Sequence, residues 1–306
     1  MPLRRLVRVR AFAKINLSLR VLRRRVDGYH ELRSIYQTIA LADRLEVEID
    51  PHSYGLDLQC DDPQVPTGPA NLIHQAASAW RRALRDRRGI RIRLEKRIPT
   101  GAGLGGGSSD AAATLLALEH LTGDRLGLNE RLALAVALGS DVPLFLLGGR
   151  VLGCGRGEEV YPLPDLPPRR CLVVFPGFSV STEEAFRWLS SGLTDASTRY
   201  NMEKIGTRSL LPLLKWGPAE NDLEPVVFAK WPELARCKRR FIQAGAETAL
   251  LTGTGSALYA VFDSAKQMSA ARGHIPPEWK FFETRTLSRA GYWRRLFNDG
   301  KFSRCS

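Results

Sequence analysis

The chain is poor in cysteine, and its few cysteines are not paired. They are Cys60, Cys154, Cys171, Cys237 and Cys305. None of them forms a C-x-x-C pair, which argues against a zinc site. Their odd number and wide spacing argue against a disulfide framework. A reducing compartment fits this pattern best, so we expect a cytoplasmic protein.

Long apolar runs are also missing. The basic start, Met1–Arg10, is not followed by an apolar core, because Lys14 and Asn16 interrupt it. This pattern does not indicate a secretory signal. The most apolar stretch, Leu132–Leu147, is too short to span a bilayer and contains Asp141. We therefore expect a soluble protein without a membrane partner.

The composition is that of a globular protein with an excess of positive charge. Hydrophobic residues make up 44% and charged residues 25% of the 306 residues, which excludes a disordered or fibrous chain. The net charge of +13 favours an anionic partner: a nucleic acid, a membrane surface or a phosphorylated small molecule. Surface arginines without a functional role explain the charge equally well, so charge alone names no function.

The length suggests two lobes. Four prolines between residues 162 and 168 punctuate the chain, and we place the boundary there. The predicted N-terminal lobe, residues 1–165, contains the phosphate loop and the catalytic candidates. The predicted C-terminal lobe comprises residues 166–306.

Hydrophobic periodicity predicts a mixture of strands and helices. Arg91–Ile98 alternates strictly between apolar and polar residues, which favours an antiparallel strand with one solvated face. The elements follow no steady βαβ rhythm, so we predict an α+β fold. The predicted strands are Val7–Leu22, Arg44–Ile49, Tyr54–Leu58, Arg91–Ile98 and Arg170–Phe175. The predicted helices are Asn71–Arg87, Ala111–Leu121, Asn129–Leu138, Thr182–Leu189 and Asn221–Trp231.

A glycine-rich loop stands in the middle of the chain. Gly101, Gly103 and Gly106 match G-x-G-x-x-G, but the preceding strand is not the buried apolar strand of a dinucleotide-binding fold. In a Walker A loop a lysine directly follows the last glycine, but here Ser108 follows Gly107. The same Ser108 stands where a protein-kinase loop has valine.

The loop nevertheless has the properties of a phosphate cradle. Its glycines allow a tight bend and a close approach of the backbone to a ligand. The N-terminus of the helix that follows offers free N–H groups to an anion, and we expect Ser108 or Ser109 to cap that helix. The predicted nucleotide-binding residues are Pro99, Thr100, Gly101, Ala102, Gly103, Leu104, Gly105, Gly106, Gly107, Ser108 and Ser109.

Three segments together resemble the three motifs of the GHMP kinases: Ala11–Leu17, Pro99–Ser109 and Leu251–Ala257. The resemblance implies a two-lobed α+β kinase whose N-terminal lobe is similar to the second domain of ribosomal protein S5. It also implies that ATP is the co-substrate and lies across the middle loop. We expect Mg²⁺ with the ATP, although the sequence identifies no carboxylate ligand for it.

Three further segments narrow the resemblance within this family: Asp27–His30, Gly139–Phe145 and Asn221–Val226. They are similar to those of members that phosphorylate a hydroxyl of a cytidine-diphosphate-linked polyol in isoprenoid precursor synthesis. The implied partners are small molecules, ATP and that polyol, and not a nucleic acid. Two such anions suit a basic protein.

Asp141 and Lys14 are the catalytic candidates. Asp141 stands beside an apolar run, where a carboxylate usually has a reason to be. By position alone it is a helix cap or a functional group, and the resemblance makes it the general base. Lys14 interrupts an apolar strand, where a lysine at the strand edge is the simpler interpretation. The resemblance makes it the partner of Asp141, a cation that lowers the pKa of the substrate hydroxyl.

Four residues are candidates for contacts to the acceptor substrate. Asn16 points to the same face of its strand as Lys14 and can hydrogen-bond the substrate. Tyr29 is predicted to stack on the cytosine and His30 to bond its polar edge; the alternative is a pair of surface aromatic residues. Thr182 is predicted to line the substrate groove.

Two alternatives remain open from the sequence. One is another GHMP kinase that acts on homoserine, mevalonate or a sugar. The other is an RNA-binding protein that uses the S5-like lobe and the net charge. The sequence does not predict the oligomeric state.

Overall fold

A computed structural model describes residues 5–192 and 220–297. These residues form two sheets and the helices around them. The strands are β1 (Arg5–Arg24), β2 (His30–Asp50), β3 (Leu56–Cys60), β4 (Gly89–Glu95), β5 (Arg150–Cys154), β6 (Glu159–Pro162), β7 (Arg170–Phe175), β8 (Thr248–Leu251), β9 (Leu258–Phe262) and β10 (Lys280–Arg285). The helices are α1 (Leu72–Leu84), α2 (Gly106–Thr122), α3 (Leu128–Leu138), α4 (Val142–Leu147), α5 (Thr182–Gly192), α6 (Glu224–Lys230), α7 (Pro232–Gln243), α8 (Ala265–Arg272) and α9 (Arg289–Leu296).

The first sheet is built around the long strand β2. Its order is β3-β4-β2-β5-β6, and β1 also pairs with β2. β1 and β2 form an antiparallel hairpin whose turn contains Gly28 at φ +87°, in the left-handed region that glycine adopts without strain. β4 is antiparallel to β2, as predicted, but parallel to β3. The hairpin carries Lys14 and Asn16 into the centre of the molecule.

The second sheet is antiparallel throughout and has the order β10-β7-β9-β8. It packs against the first sheet through a shared apolar cluster that includes Ile15, Ile39, Val173 and Tyr259. The predicted α+β class is confirmed. The larger cavity described below is bordered by strands of the first sheet and by the turn that follows β8 of the second.

Helix α2 is buried on almost every side, which explains its alanine-rich sequence. Ala111, Ala112 and Leu115 have no exposed surface, because the helix packs between α1, α4 and the first sheet. A helix that is apolar all round belongs inside a core. Its position fixes the glycine-rich loop that precedes it.

The prediction that Ser108 or Ser109 caps α2 is wrong. The helix begins at Gly106, and its N-cap is Gly105 in the left-handed conformation at φ +70°, with no capping side-chain bond. Because a glycine adopts this conformation at little cost, the chain enters the helix without a serine cap. Both serines therefore lie in the first turn.

The chain passes from the first sheet to the second between β6 and β7. We therefore propose that the boundary between the two lobes lies near residue 165, as the sequence predicts. Helix α9 returns to the first core, where Tyr292 and Leu296 are buried. No helix in the described ranges is both long and apolar enough to cross a membrane.

Candidate active site

A cavity of about 980 Å³ opens between the two sheets. Its walls come from β1, the turn between β1 and β2, the glycine-rich loop, α5 and the turn after β8. The structure brings to it every residue predicted to act in catalysis or to contact the acceptor: Lys14, Asn16, Tyr29, His30, Asp141 and Thr182.

Lys14 and Asp141 form an ion pair inside this cavity. Lys14 Nζ lies 3.4 Å from Asp141 Oδ2, and only 4% of the lysine side chain is exposed. Lys14 is therefore not a solvated lysine at a strand edge. Asp141 occupies the N-cap position of α4, but its side chain makes no capping bond. The carboxylate is thus left for the cavity, where 28% of the side chain is exposed.

Tyr36 completes this group, and the sequence analysis missed it. Lys14 Nζ lies 5.4 Å from the centre of its ring, and the Asp141 carboxylate is a hydrogen-bond partner of its phenol. Burial, reinforced by the charge of Asp141, raises the pKa of Tyr36 well above its ordinary value. The phenol therefore keeps its proton and donates a hydrogen bond to the Asp141 carboxylate.

The two aromatic residues after the first turn lie at the outer end of the cavity. Tyr29 is 57% exposed, and the Arg156 guanidinium lies 4.9 Å from the centre of its ring. The His30 ring stacks on Phe186 at 4.8 Å, and its Nε2 lies 3.2 Å from Ser190 Oγ. This end of the cavity is suited to hold a flat ring.

Among the described residues that line this end, positive charges outnumber the one carboxylate that α5 contributes, Glu183. Arg24, Arg156 and Arg187 all line the cavity. Burial lowers the pKa of His30, and the charge of Arg24 adds to this effect. The ring of His30 is therefore neutral at pH 7, with one nitrogen able to accept a hydrogen bond.

A second groove, of about 310 Å³, follows the glycine-rich loop. Residues 99–108 line it together with Val65, Pro66, Leu72 and Lys96. Ser109, also predicted to bind the nucleotide, lies outside this wall, because it is buried at 1% exposure. Among the described residues its hydroxyl has no hydrogen-bond partner. Gly103, Gly105 and Ser108 line both this groove and the larger cavity. The loop is therefore the junction of the two spaces.

A buried cluster of Lys96, Asp43 and Asp110 lies beside the glycine-rich loop. Lys96 Nζ lies 2.5 Å from Asp43 Oδ2 and 2.8 Å from Asp110 Oδ2. Burial lowers the pKa of Lys96, but the two carboxylates outweigh it and raise that pKa overall. Asp43 also accepts hydrogen bonds from the backbone of Arg97 and Ile98. The cluster ties the start of α2 to β2 and to the segment that leads into the loop.

The turn after β8 meets the loop from the second sheet. Thr252 Oγ1 lies 3.1 Å from the carbonyl oxygen of Gly103. A Cβ at Gly103 would lie 2.0 Å from the carbonyl oxygen of Thr252, so only glycine fits there. Thr182 Oγ1 lies 3.4 Å from Thr254 Oγ1. The late glycine-rich segment therefore shapes the middle loop from the opposite side.

No cluster of three or more histidine, cysteine or acidic side chains is placed to hold a metal ion within residues 5–192 and 220–297.

Comparison with known proteins agrees with this arrangement. The family of GHMP kinases N terminal domains matches residues 71–149, and the GHMP kinases C terminal family matches residues 202–275. A 4-diphosphocytidyl-2-C-methyl-D-erythritol kinase of Solibacter usitatus is 44% identical, over 95% of this chain and 93% of its own. A protein with the same name from Pelotomaculum thermopropionicum is 40% identical, over 85% of this chain and 91% of its own.

Fold, loop and cavity together define an ATP-dependent kinase of small molecules. The chain belongs to the GHMP kinase family. A crystal structure of 4-(cytidine 5'-diphospho)-2C-methyl-D-erythritol kinase is 37% identical and has a TM-score of 0.74, with 91% of this chain and 98% of that chain covered.

More distant members share the fold alone. A homoserine kinase from Cytophaga hutchinsonii is 18% identical, with a TM-score of 0.66 and 92% of this chain and 95% of that chain covered. The L. major mevalonate kinase is 19% identical and has the same TM-score, with 91% of this chain and 95% of that chain covered.

Proposed function

We propose that this protein transfers the γ-phosphoryl group of ATP to a hydroxyl of 4-diphosphocytidyl-2-C-methyl-D-erythritol, a step of non-mevalonate isoprenoid precursor synthesis. The observation that carries the proposal is the junction of the two cavities. A nucleotide in the groove of residues 99–108 would present its phosphates at Gly103, Gly105 and Ser108, which also border the larger cavity. Direct transfer between two bound substrates needs this arrangement.

The inner end of the larger cavity supplies the groups for proton transfer. Asp141 takes the proton of the attacking hydroxyl, because its carboxylate faces the cavity and has no capping role. Lys14 stabilises the negative charge that develops on the attacking oxygen and on the transferred group. Tyr36 donates a hydrogen bond to Asp141 and so keeps the carboxylate in place.

The outer end is proposed to hold the cytidine and the diphosphate. Tyr29 offers an aromatic face to the base, and neutral His30 bonds its polar edge. Phe186, stacked on His30, sets the orientation of that imidazole. Arg24, Arg156 and Arg187 supply positive charge for the diphosphate. Thr182 lines the same wall.

Mg²⁺ is part of the proposal, and the residues fit it. This ion takes oxygen ligands and is usually held by substrate phosphates, water and one or two protein groups, so it needs no carboxylate cluster. The Ser108 hydroxyl lies at the junction where the phosphates of ATP would reach the acceptor. When bound, the ion neutralises charge on the transferred phosphoryl group.

Steady-state kinetics with a panel of acceptors tests the proposal. ADP formation is measured with the cytidylyl polyol, homoserine, mevalonate and a sugar, at equal enzyme and ATP concentrations. We expect kcat/KM for the cytidylyl polyol to exceed the others by several orders of magnitude, because only that acceptor fills the outer end of the cavity. Preferred turnover of another acceptor would overturn the substrate assignment while leaving the kinase family intact.

Action in the cytoplasm remains a prediction. It rests on the cysteine pattern; Cys60, Cys154, Cys171 and Cys237 are free thiols. The prediction that the protein binds no nucleic acid also awaits a test, which a filter-binding measurement with RNA at ~0.2 M salt provides.

A further inference from the structure

Asn16 is held by hydrogen bonds to other protein groups. Its Nδ2 donates to Ser34 Oγ at 2.7 Å, and its Oδ1 accepts from Lys14 Nζ at 2.8 Å. The residue is 1% exposed. Tyr259 of β9 donates to its backbone carbonyl at 2.9 Å, so the second sheet holds this part of β1 as well. These bonds leave Asn16 little freedom to turn toward a substrate.

The Ser34 hydroxyl determines which way the Asn16 amide faces. A serine hydroxyl has one proton to donate, and Ser34 Oγ donates it to the carbonyl of Ser18 at 2.8 Å. Toward Asn16 the Ser34 oxygen can therefore only accept, and it must face Nδ2. The Oδ1 of Asn16 is then directed at Lys14, whose ammonium has donors only.

Thr252 connects the same amide to the second sheet. Its Oγ1 lies 3.2 Å from Asn16 Oδ1 and 3.1 Å from the carbonyl oxygen of Gly103. The threonine is fully buried. Both neighbours are acceptors and the hydroxyl has one proton. Thr252 therefore shares that proton between the asparagine that holds Lys14 and the loop that is proposed to hold ATP.

The location of Lys14 depends on this amide. Asp141 Oδ2 is 3.4 Å away, beyond ordinary hydrogen-bond length, whereas Asn16 Oδ1 is at 2.8 Å. Without the Asn16 oxygen, the ammonium would move toward the carboxylate and lose its place beside the loop. In phosphoryl transfer a displacement of about 1 Å can cost up to ~10²-fold in rate.

We propose that Asn16, oriented by Ser34 and Thr252, is a positioning residue that holds the Lys14 ammonium for phosphoryl transfer. This inference rests on the proposed function, in which Lys14 acts at the transferred group. It gives Asn16 a role different from the substrate contact that the sequence suggests. Neither Ser34 nor Thr252 is among the described residues that line the two cavities. An effect of Ser34 on turnover must therefore pass through other side chains, whereas Thr252 also contacts the backbone of the loop at Gly103, so its variants are read with KM for ATP beside kcat.

The test is a double-mutant cycle between Ser34→Ala and Lys14→Met, run on whichever alcohol the wild-type enzyme phosphorylates. We expect Ser34→Ala to lower kcat by about tenfold or more, with both KM values little changed, and to have no further effect in the Lys14→Met background. An unchanged kcat, or the same loss in both backgrounds, would overturn the proposal. A wrong acceptor assignment would show in the wild-type enzyme and leave the cycle interpretable.

A second pair of variants guards against misfolding of Ser34→Ala. Thr252→Val deletes the hydroxyl at nearly constant shape, and Thr252→Ser restores it. We expect Val to lower kcat and Ser to recover most of it. Thr286→Val is the matched control, because Thr286 is buried and accepts a hydrogen bond from the Arg169 N–H, away from both cavities. Equal losses in Thr252→Val and Thr286→Val would mean a general packing effect and contradict the positioning role.

Discussion

Asp141 is the residue on which proton transfer depends in the proposed reaction. Its carboxylate lies beside Lys14 and Tyr36 and caps no helix. We expect Asp141→Asn to keep the fold and to lower kcat by about 10²–10⁴, the usual contribution of a positioned base, with little change in substrate affinity. Steady-state kinetics with each substrate varied in turn measures this.

The partner variant shows whether the two residues act together. Lys14→Met keeps the aliphatic stem and removes the charge, so kcat should also fall. Because both residues serve one transfer step, the double variant should lose much less than the product of the two single losses. Multiplicative losses would mean that they act separately, and a folded Asp141→Asn enzyme with normal kcat would leave Asp141 a structural residue.

Tyr29 is expected to carry recognition of the cytosine. Tyr29→Ala should weaken binding of the cytidylyl substrate by about 1–3 kcal/mol, the range for one base–aromatic stack, and should leave ATP binding unchanged. Isothermal titration with each ligand measures both affinities. Tyr54→Ala is the control, because Tyr54 is 84% exposed and lies outside the cavity wall. A loss of ATP affinity instead would place the wrong nucleotide over this ring.

His30 should make the affinity for the cytidylyl substrate depend on pH. Burial lowers its pKa below 6.5, so the ring is neutral and accepts a hydrogen bond at pH 7. Protonation removes that acceptor. The affinity should therefore be constant above pH 6.5 and fall as the pH drops through the lowered pKa. Titrations between about pH 5 and 8 measure this; the same fall in a His30→Gln variant would assign the effect to another group.

The sequence predicted some of these residues and not others, for a physical reason. Lys14 and Asp141 interrupt apolar segments, so each stands out by itself. Tyr36 looks like an ordinary residue of a strand. It reaches the site because the register places it opposite Asn16, and β1 has irregularities on both sides of that pair. Such a register follows from the packing of the whole hairpin and not from local pattern.

Among the elements, alternation predicted β1 to within two residues at each end. The helix predicted at Asn71–Arg87 is α1, which ends three residues earlier, at Leu84. β2 was predicted only over Arg44–Ile49, because both faces of its first half are covered and its sequence does not alternate there. No pattern was identified for α7, α8, β10 and α9. In α7 a helical signal was missed, because Leu234, Cys237 and Phe241 are buried on one face at helical spacing. α8, β10 and α9 are short, and charged residues interrupt their apolar positions.

The glycine loop joins two elements, and the structure shows which of its glycines faces the groove. A Cβ at Gly106 would lie 3.0 Å from both Ile98 and Lys96, so a substitution there disturbs the support of the loop. A Cβ at Gly107 would lie 3.7 Å from Leu72, an ordinary contact, and both residues line the groove. Gly107 is therefore the better probe of phosphate binding.

Gly107→Val should raise KM for ATP by about tenfold or more, equivalent to ~1.4 kcal/mol of binding. The branched side chain would occupy the groove, whereas helix propensity at this position favours valine over glycine. ATP titration and thermal unfolding measure the two effects. Gly127→Val is the matched control, since a Cβ there meets open space at another helix N-cap. Normal ATP affinity in folded Gly107→Val would remove the loop from phosphate binding.

At the scale of the molecule, the sequence was sufficient for the α+β class and the family. The packing of the two sheets against each other could not be predicted from the sequence. The apolar cluster between them includes Ile15 from β1 and Tyr259 from β9, which are 244 residues apart in sequence. The cavity likewise combines distant parts of the chain, β1 with the turn after β8. Its outer end uses Arg156 and Phe186, whose local sequence carries no signal for this role.

In the proposed reaction a phosphoryl group passes at the glycine loop from ATP to a hydroxyl of the cytidylyl polyol. Phosphorus NMR of the purified protein with ATP, Mg²⁺ and that polyol tests it most directly. We expect a new phosphomonoester resonance that grows with ADP while the diphosphate of the acceptor stays intact. Release of free phosphate alone, cleavage of that diphosphate, or unchanged spectra would contradict it.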